Sequence, residues 1–293
     1  MNNPLPGSGP KPATIMIVGE APFGEDMLRR EMFASAWRNR DLIVQMTKRE
    51  VVGRYRGSVL GIVWSFFNPI LMLAVYTFVF SVIFKARWHV GSDSKTEFAI
   101  VLFAGMIVFG IFAECINRAP NLVLANPNYV KKVIFPLEIM PLVTLGAALF
   151  HAVISVGVLL AFILIVNHAL SWTLILAPLV LLPLFLFTLG LSWFLSSLGV
   201  YLRDVGQTVG IFTTVLMFLS PVFYPVANLP EAYQGVVMLN PIAIVLEQAR
   251  DVLIWGKMPD LALYGIQLIA STFIAWLGFA WFQKTRKGFA DVL

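Results

Sequence analysis

Between Arg56 and Lys85 the chain runs for 28 residues, Gly57 to Phe84, without one charged side chain. As a helix rising ~1.5 Å per residue, such a run is about 40 Å long, more than the ~30 Å hydrocarbon core of a bilayer requires. It reads as a first membrane span that crosses with tilt or a bend. Pro69, in the pair Asn68-Pro69, removes one backbone hydrogen bond inside it, so a kink is expected near that level. The composition of the whole chain agrees: 59% of residues are hydrophobic and 13% charged, where a soluble domain carries about 25% charged residues. The chain is an all-α integral membrane protein on this reading.

The formal charge of +5 would point a soluble chain toward nucleic acid, but the cations here cluster beside apolar runs, where they set topology. No nucleic-acid partner is expected. The one cysteine, Cys115, excludes an internal disulfide and a cysteine metal cluster, and reads as a small apolar filler. Met1 to Pro12 is rich in Pro, Gly and Asn, and no apolar stretch with a cleavage site follows it, so insertion through the first span is expected.

Residues 1–30 read as a flexible extension. Within it, Ala13 to Val18 followed by Gly19-Glu20-Ala21-Pro22 resembles the strand and turn that open a uracil-DNA glycosylase fold, but no soluble α/β domain follows to complete it. From Glu25 to Arg56 the pattern is helical, with Trp37, Val44, Val51 and Tyr55 on one stripe and Arg38, Lys48, Arg49 and Arg54 supplying charge. Residues 31–56 are thus expected to form an amphipathic helix in the interface. Gly53, Gly57 and Gly61 recur every fourth residue where this helix meets the span, a spacing that suits either close helix approach or a bend.

Residues 57–293 divide into six spans. The second is Phe98 to about Ile116, with Glu114 and Arg118 one turn apart and able to pair. Ile139 to Leu202 holds 64 residues without Asp, Glu, Lys or Arg. That is too long for one helix, and Asn167-His168 supplies the turn between spans around Met140–Val166 and Trp172–Val200. His151, alone in the third span, reads as a satisfied core histidine. Gly206 to about Tyr224 is the fifth span and Leu261 to Phe282 the sixth. Between them Ile242 to Ile254 is too short, and with Glu247, Arg250 and Asp251 too charged, to cross; it is expected to be interfacial or re-entrant. With six spans the termini share one side. That side carries 16 of the 21 Lys and Arg residues, which places both termini in the cytoplasm.

No G-x-x-x-x-G-K-[ST] phosphate loop occurs, no Asp, Glu, Lys or Arg lies at the middle of a span, and no His/Cys/carboxylate cluster supports catalysis or a metal. A membrane domain with a basic face and no engine of its own implies a separate energising partner.

Several motifs then coincide. They are Lys48-Arg49-Glu50, Arg54-Tyr55-Arg56-Gly57-Ser58-Val59-Leu60-Gly61, Trp64-Ser65, Asn68-Pro69, Tyr76 to Phe80, Lys131-Lys132-Val133 with Phe135-Pro136, Arg203-Asp204-Val205-Gly206-Gln207, Ser220 to Pro225, Asn240-Pro241 and the terminal Phe289-Ala290-Asp291-Val292-Leu293. Together, over roughly Arg38 to Leu293, they resemble the permease subunit of ABC-2 type polysaccharide exporters, which serve O-antigen, capsular polysaccharide and teichoic acid. The resemblance implies a homodimer in the bacterial inner membrane, bound to two copies of an ABC ATPase and moving a lipid-pyrophosphate-linked glycan outward. ATP and Mg would be bound by that ATPase, leaving this chain without a cofactor and not itself an enzyme. Asp41 to Arg56 would be the interface helix, Asn121 to Phe135 the coupling loop, and Leu229 to Gly256 short outer gate helices. The implied ATPase-coupling residues are Lys48, Arg49, Arg54, Arg56, Asn126, Lys131, Lys132, Arg203 and Asp204.

A long hydrated glycan must slide without tight binding at any point, which favours aromatic faces over ionic sites as the conduit lining. The resemblance places the first and fifth spans around the dimer axis, so the lining candidates are Trp64, Phe67, Tyr76, Phe212, Phe218, Phe223 and Tyr224. Tyr76 and Tyr224 stand out because a hydroxyl inside a span prefers a polar partner or a wet lumen to lipid. Two rivals are an ABC-2 exporter of a drug or small lipid, which shares the architecture, and a membrane-embedded enzyme or scaffold, for which only Glu247, Arg250 and Asp251 offer chemistry.

Overall fold

The computed structural model describes residues 25–84, 88, 96–131 and 135–293, and among these every regular element is helical. The chain begins with α1 (Glu25–Arg38) and α2 (Arg40–Arg54). The single amphipathic helix expected over 25–56 is therefore two. Asn39 takes a non-helical conformation between them, φ −100° and ψ 15°, while its backbone N–H and its side-chain amide both donate to the Ser35 carbonyl, at 3.0 and 2.8 Å. The expected stripe does not share one environment: Val51 is buried, whereas Val44 on the same helix and Trp37 on α1 are exposed.

Gly57 and Gly61 adopt φ of +85° and +51°, and a Cβ placed on Gly53, Gly57 or Gly61 would meet nothing within 4 Å. The glycine repeat thus makes a bend rather than a close helix crossing, using the left-handed conformations that side chains resist. A 3₁₀ turn, Gly61–Val63, leads into α3 (Trp64–Tyr76), which winds on as a π-type segment over Thr77–Ile83. Pro69 is buried inside α3, and the helical winding changes not there but at Thr77, whose hydroxyl donates to the Leu73 carbonyl at 2.7 Å.

The helix at the heart of the bundle is α4 (Glu97–Arg118), with 15 of its 22 residues buried. A 3₁₀ turn, Ala119–Asn121, and the short α5 (Pro127–Lys131) lead to α6 (Met140–Asn167), which ends at His168 in a left-handed cap, φ 55°. Then come α7 (Ala177–Tyr201) and α8 (Val205–Leu219). Next are α9 (Glu231–Met238) and α10 (Pro241–Arg250), the latter continued by a π-type turn, Asp251–Trp255. The chain closes with α11 (Leu261–Thr285) and α12 (Phe289–Val292). Asn240 and Asp260 cap α10 and α11 by accepting from backbone amides two or three residues on.

Among the described residues, five helical stretches are long and apolar enough to cross a bilayer: 61–80, 97–121, 137–167, 172–201 and 261–292. The expected fifth span is shorter. α8 has 15 residues, about 22 Å at the helical rise, before Ser220 breaks it. The closest seam joins α7 and α11, where a Cβ on Gly190 would lie 2.6 Å from the Ile274 carbonyl oxygen and one on Gly278 would overlap the Gly190 carbonyl. Small residues let the backbones touch there. At the end of α7, Gly199 rests in the same way on the Pro120 carbonyl. Phe289 in the tail is fully buried against Phe282 and Tyr201, so the C-terminus is part of the packed bundle.

Candidate functional site

The expected pairing of Glu114 with Arg118 is present but loose, at 3.7 Å. The closer bonds cross between helices: Arg54 of α2 donates to Glu114 of α4, and Arg118 of α4 donates back to Glu50 of α2. Two acids and two cations alternate, fastening α2 to α4. Beside them the Tyr55 hydroxyl lies 3.3 Å from His151 Nδ1 on α6, with the rings edge to face. Burial raises the Tyr55 phenol, against the pull of Arg54, and keeps it neutral. The core-histidine expectation for His151 is half met, because its Nε2 is buried without a protein partner.

These polar groups line one end of a cavity of about 510 Å³ between α3, α4 and α6. Trp64, Ser65, Asn68 and Tyr76 come from α3, Phe103 and Met106 from α4, and His151 and Ser155 from α6. It combines aromatic faces with hydroxyl and amide groups, chemistry suited to a polyhydroxylated ligand. Two of the proposed lining residues, Trp64 and Tyr76, face it; Phe67 meets the Trp64 ring edge-on at 5.4 Å and is itself about half exposed.

The other lining candidates sit elsewhere on the chain. Phe212 lines an apolar groove of about 670 Å³ between α4, α7 and α8, whose rim carries Arg203 and Asp204. Phe218, in the last turn of α8, stacks on Phe223 at 5.4 Å, and the Tyr224 hydroxyl donates to the Phe218 and Leu219 carbonyls at 3.3 Å. The polar partner expected for that hydroxyl is thus the row of carbonyls left open where α8 ends.

The coupling candidates gather at the opposite end. Lys48, Arg49, Arg54 and Arg56 are exposed along and just after α2, and Arg49 lies 3.5 Å from the Tyr129 hydroxyl of α5. Asn126 caps the turn before α5 by donating to the Leu122 carbonyl at 3.0 Å. Lys131 is exposed, and Lys132 lies outside the described residues. Tyr129 stacks on Phe135 at 4.4 Å and closes the base of this loop. The contact of Gly199 with Pro120 brings the exposed Arg203-Asp204 turn to the same end.

Two ionic centres are buried that the sequence does not mark as buried. The carboxylate of Glu138 accepts from Ser35 at 3.0 Å and from Arg286 at 2.9 Å, while its backbone carbonyl takes the Trp193 indole N–H, so α1, α7 and the C-terminal tail meet on this one residue just before α6. The available signal was Glu138 as the last acid before the 64-residue uncharged run. The second is Arg250, expected at a surface and found 1% exposed.

Comparison with known proteins agrees with this architecture. The O-antigen export system permease protein RfbA of Klebsiella pneumoniae is 26% identical over 255 residues, covering 86% of this chain and 95% of that relative. The protein of the same name from Myxococcus xanthus is 26% identical with the same coverage, and the polysialic acid transport protein KpsM of Escherichia coli is 24% identical over 72% of this chain and 81% of its own length. The ABC-2 type transporter family matches residues 41–254, most of the helical bundle, and the chain belongs to that family.

Proposed function

We propose that this chain is the membrane-spanning permease of an ABC exporter that moves a lipid-linked polysaccharide of the O-antigen or capsule kind outward across the inner membrane of a bacterium. The observation that carries the reading is the match along 95% of relatives named as O-antigen export permeases, with capsule-export relatives alongside. Those names favour a polysaccharide over a drug or small lipid. Two copies of the chain pair with two copies of a separate ABC ATPase, which binds ATP and Mg, and both termini face the cytoplasm with the basic residues. The cargo is a lipid-pyrophosphate-linked glycan.

The geometry supports a mechanical path. The ATPase grips α5 and the loop around Lys131 and Lys132. Arg49 and Tyr129 link that loop to α2, and the Arg54–Glu114 and Arg118–Glu50 bonds carry motion of α2 into α4. Trp64 and Tyr76 at the cavity contact sugar faces weakly and in many registers.

Cells lacking the chain are expected to lose surface glycan and to accumulate it on its lipid carrier inside. Tyr76→Ala, Phe218→Ala and Tyr224→Ala should each restore export about tenfold more slowly than the wild type, with dimer assembly and basal ATPase activity unchanged. Normal export from all three would sink the aromatic lining, and normal surface glycan without the chain would sink the function. Reversing the loop charge with Lys131→Glu and Lys132→Glu should separately reduce co-purification of the ATPase about tenfold or more, since like charges across an interface cost several kcal/mol. Unchanged co-purification and export would remove the loop from the coupling path.

A further inference from the structure

Arg250 closes α10, yet it is the largest fully buried side chain among the described residues. Nε donates to the Val101 carbonyl at 3.3 Å, Nη1 to the Pro221 carbonyl and to Glu247, both at 2.7 Å, and Nη2 to the Val222 carbonyl at 2.9 Å. The guanidinium carbon lies 4.4 Å from the centre of the Trp88 ring. Gly105 makes room for this group, because a Cβ there would lie 2.6 Å from Nη2. A buried cation is tolerated only when its donors are met, and here one planar fork meets acceptors on the first turns of α4, on the irregular stretch after α8 and on α10. A lysine ammonium, with three donors on one nitrogen in place of five spread over the fork, cannot meet all four acceptors at once.

The stretch it holds carries the aromatic group at the end of the bundle away from the basic face. Pro221 and Val222 lie between Phe218 and the pair Phe223 and Tyr224. A second fastening, Asn240 Nδ2 to Ser220 Oγ at 2.9 Å, keeps the same stretch on α10 if the first is lost.

We propose that Arg250 is a positioning residue for transport: by gripping the Pro221 and Val222 carbonyls against α4 and α10 it fixes where Phe218, Phe223 and Tyr224 stand. The proposal rests on the export reading for its transport half only. The test uses the full complex in open membrane fragments, with Phe223→Cys as a reporter; Cys115 is buried and stays in place. A small water-soluble maleimide is expected to label this site about tenfold faster when Arg250→Lys or Gly105→Ala is added, and export by Arg250→Lys without the reporter should fall about tenfold, with the amount of chain in the membrane unchanged. Unchanged labelling in both variants overturns the proposal, and so does faster labelling with undiminished export. Loss of both variants from the membrane assigns Arg250 to folding alone and overturns it as well. If the wild-type chain exports no glycan, the export reading fails while faster labelling still supports the positioning of the aromatic group.

Discussion

Gly278→Val is expected to remove folded protein from the membrane. At this crossing the α11 backbone lies directly on the Gly190 carbonyl of α7, and the obstacle to any Cβ is main chain on both sides, which cannot swing aside as a side-chain tip can. Relief requires the two helices to part along their whole seam, which also carries the Trp193–Phe279 ring pair at 5.2 Å and the buried Ala275. Overpacking a core typically costs 1–3 kcal/mol, and a clash of backbone on backbone belongs above that range, at roughly 4 kcal/mol or more. Net stabilities are about 5–15 kcal/mol, so this one change takes a large part of the total. The measurement is the amount of monodisperse protein extracted in mild detergent. Val in place of Gly157, where a Cβ would meet nothing within 4 Å, should leave that amount near normal. Equal yields from the two variants would show that the α7–α11 contact is not as close as described.

Glu114→Lys should abolish export while leaving the chain inserted. The substitution replaces the shared acceptor of Arg54 and Arg118 with a third cation and leaves Glu50 as the one acid of the cluster. Two unit charges about 4 Å apart repel by up to ~4 kcal/mol in a partly buried setting, where exposed pairs are worth ~1 kcal/mol or less. The four side chains are between a fifth and two fifths exposed, so the partly buried figure is an upper bound that salt lowers. Even half of it exceeds what an ordinary surface pair contributes, and α2 should detach from α4. Insertion survives because the apolar body of α4, Phe98 to Ala113, is untouched. Faster tryptic cleavage within α2 and loss of surface glycan are the readouts. Glu114→Gln, which keeps an acceptor without the charge, should fall between, and pairing Glu114→Arg with Arg54→Glu should recover part of the export. Ordinary export from Glu114→Lys would show that the network carries no motion.

The fold was legible where one strong signal dominates. The limits of α4, α6, α7 and α11 lie within a few residues of those read from uncharged runs and the Asn167-His168 turn, because a bilayer leaves an apolar stretch little choice but to be helical. What escaped depended on contacts between distant segments. The break at Asn39 is a change of backbone dihedrals at one residue that keeps its hydrogen bond to Ser35, and the glycine repeat suits a crossing as well as a bend until the positive φ of Gly57 and Gly61 decides for the bend. Arg250 looked like a surface charge because its acceptors, Val101, Pro221 and Val222, lie up to 149 residues away and are backbone atoms that carry no signature in sequence. The aromatic candidates on α3, in α8 and after it could be named, but their separation into a cavity group, a groove residue and a far-end stack is set by helix rotation, which sequence periodicity does not record.

The shortness of α8 has a consequence for the lipid around it. Its roughly 22 Å fall some 8 Å below the usual hydrocarbon thickness, and a bilayer meets a short apolar helix by compressing, at a fraction of a kcal/mol for each ångström. Wherever lipid reaches α8 beside the axis of the proposed dimer, the membrane is therefore thinned before any cargo arrives. For a polymer whose anchor stays in the bilayer while its polar chain crosses, the apolar barrier is lowest there, and the elastic strain in the lipid is released when a longer object takes its place.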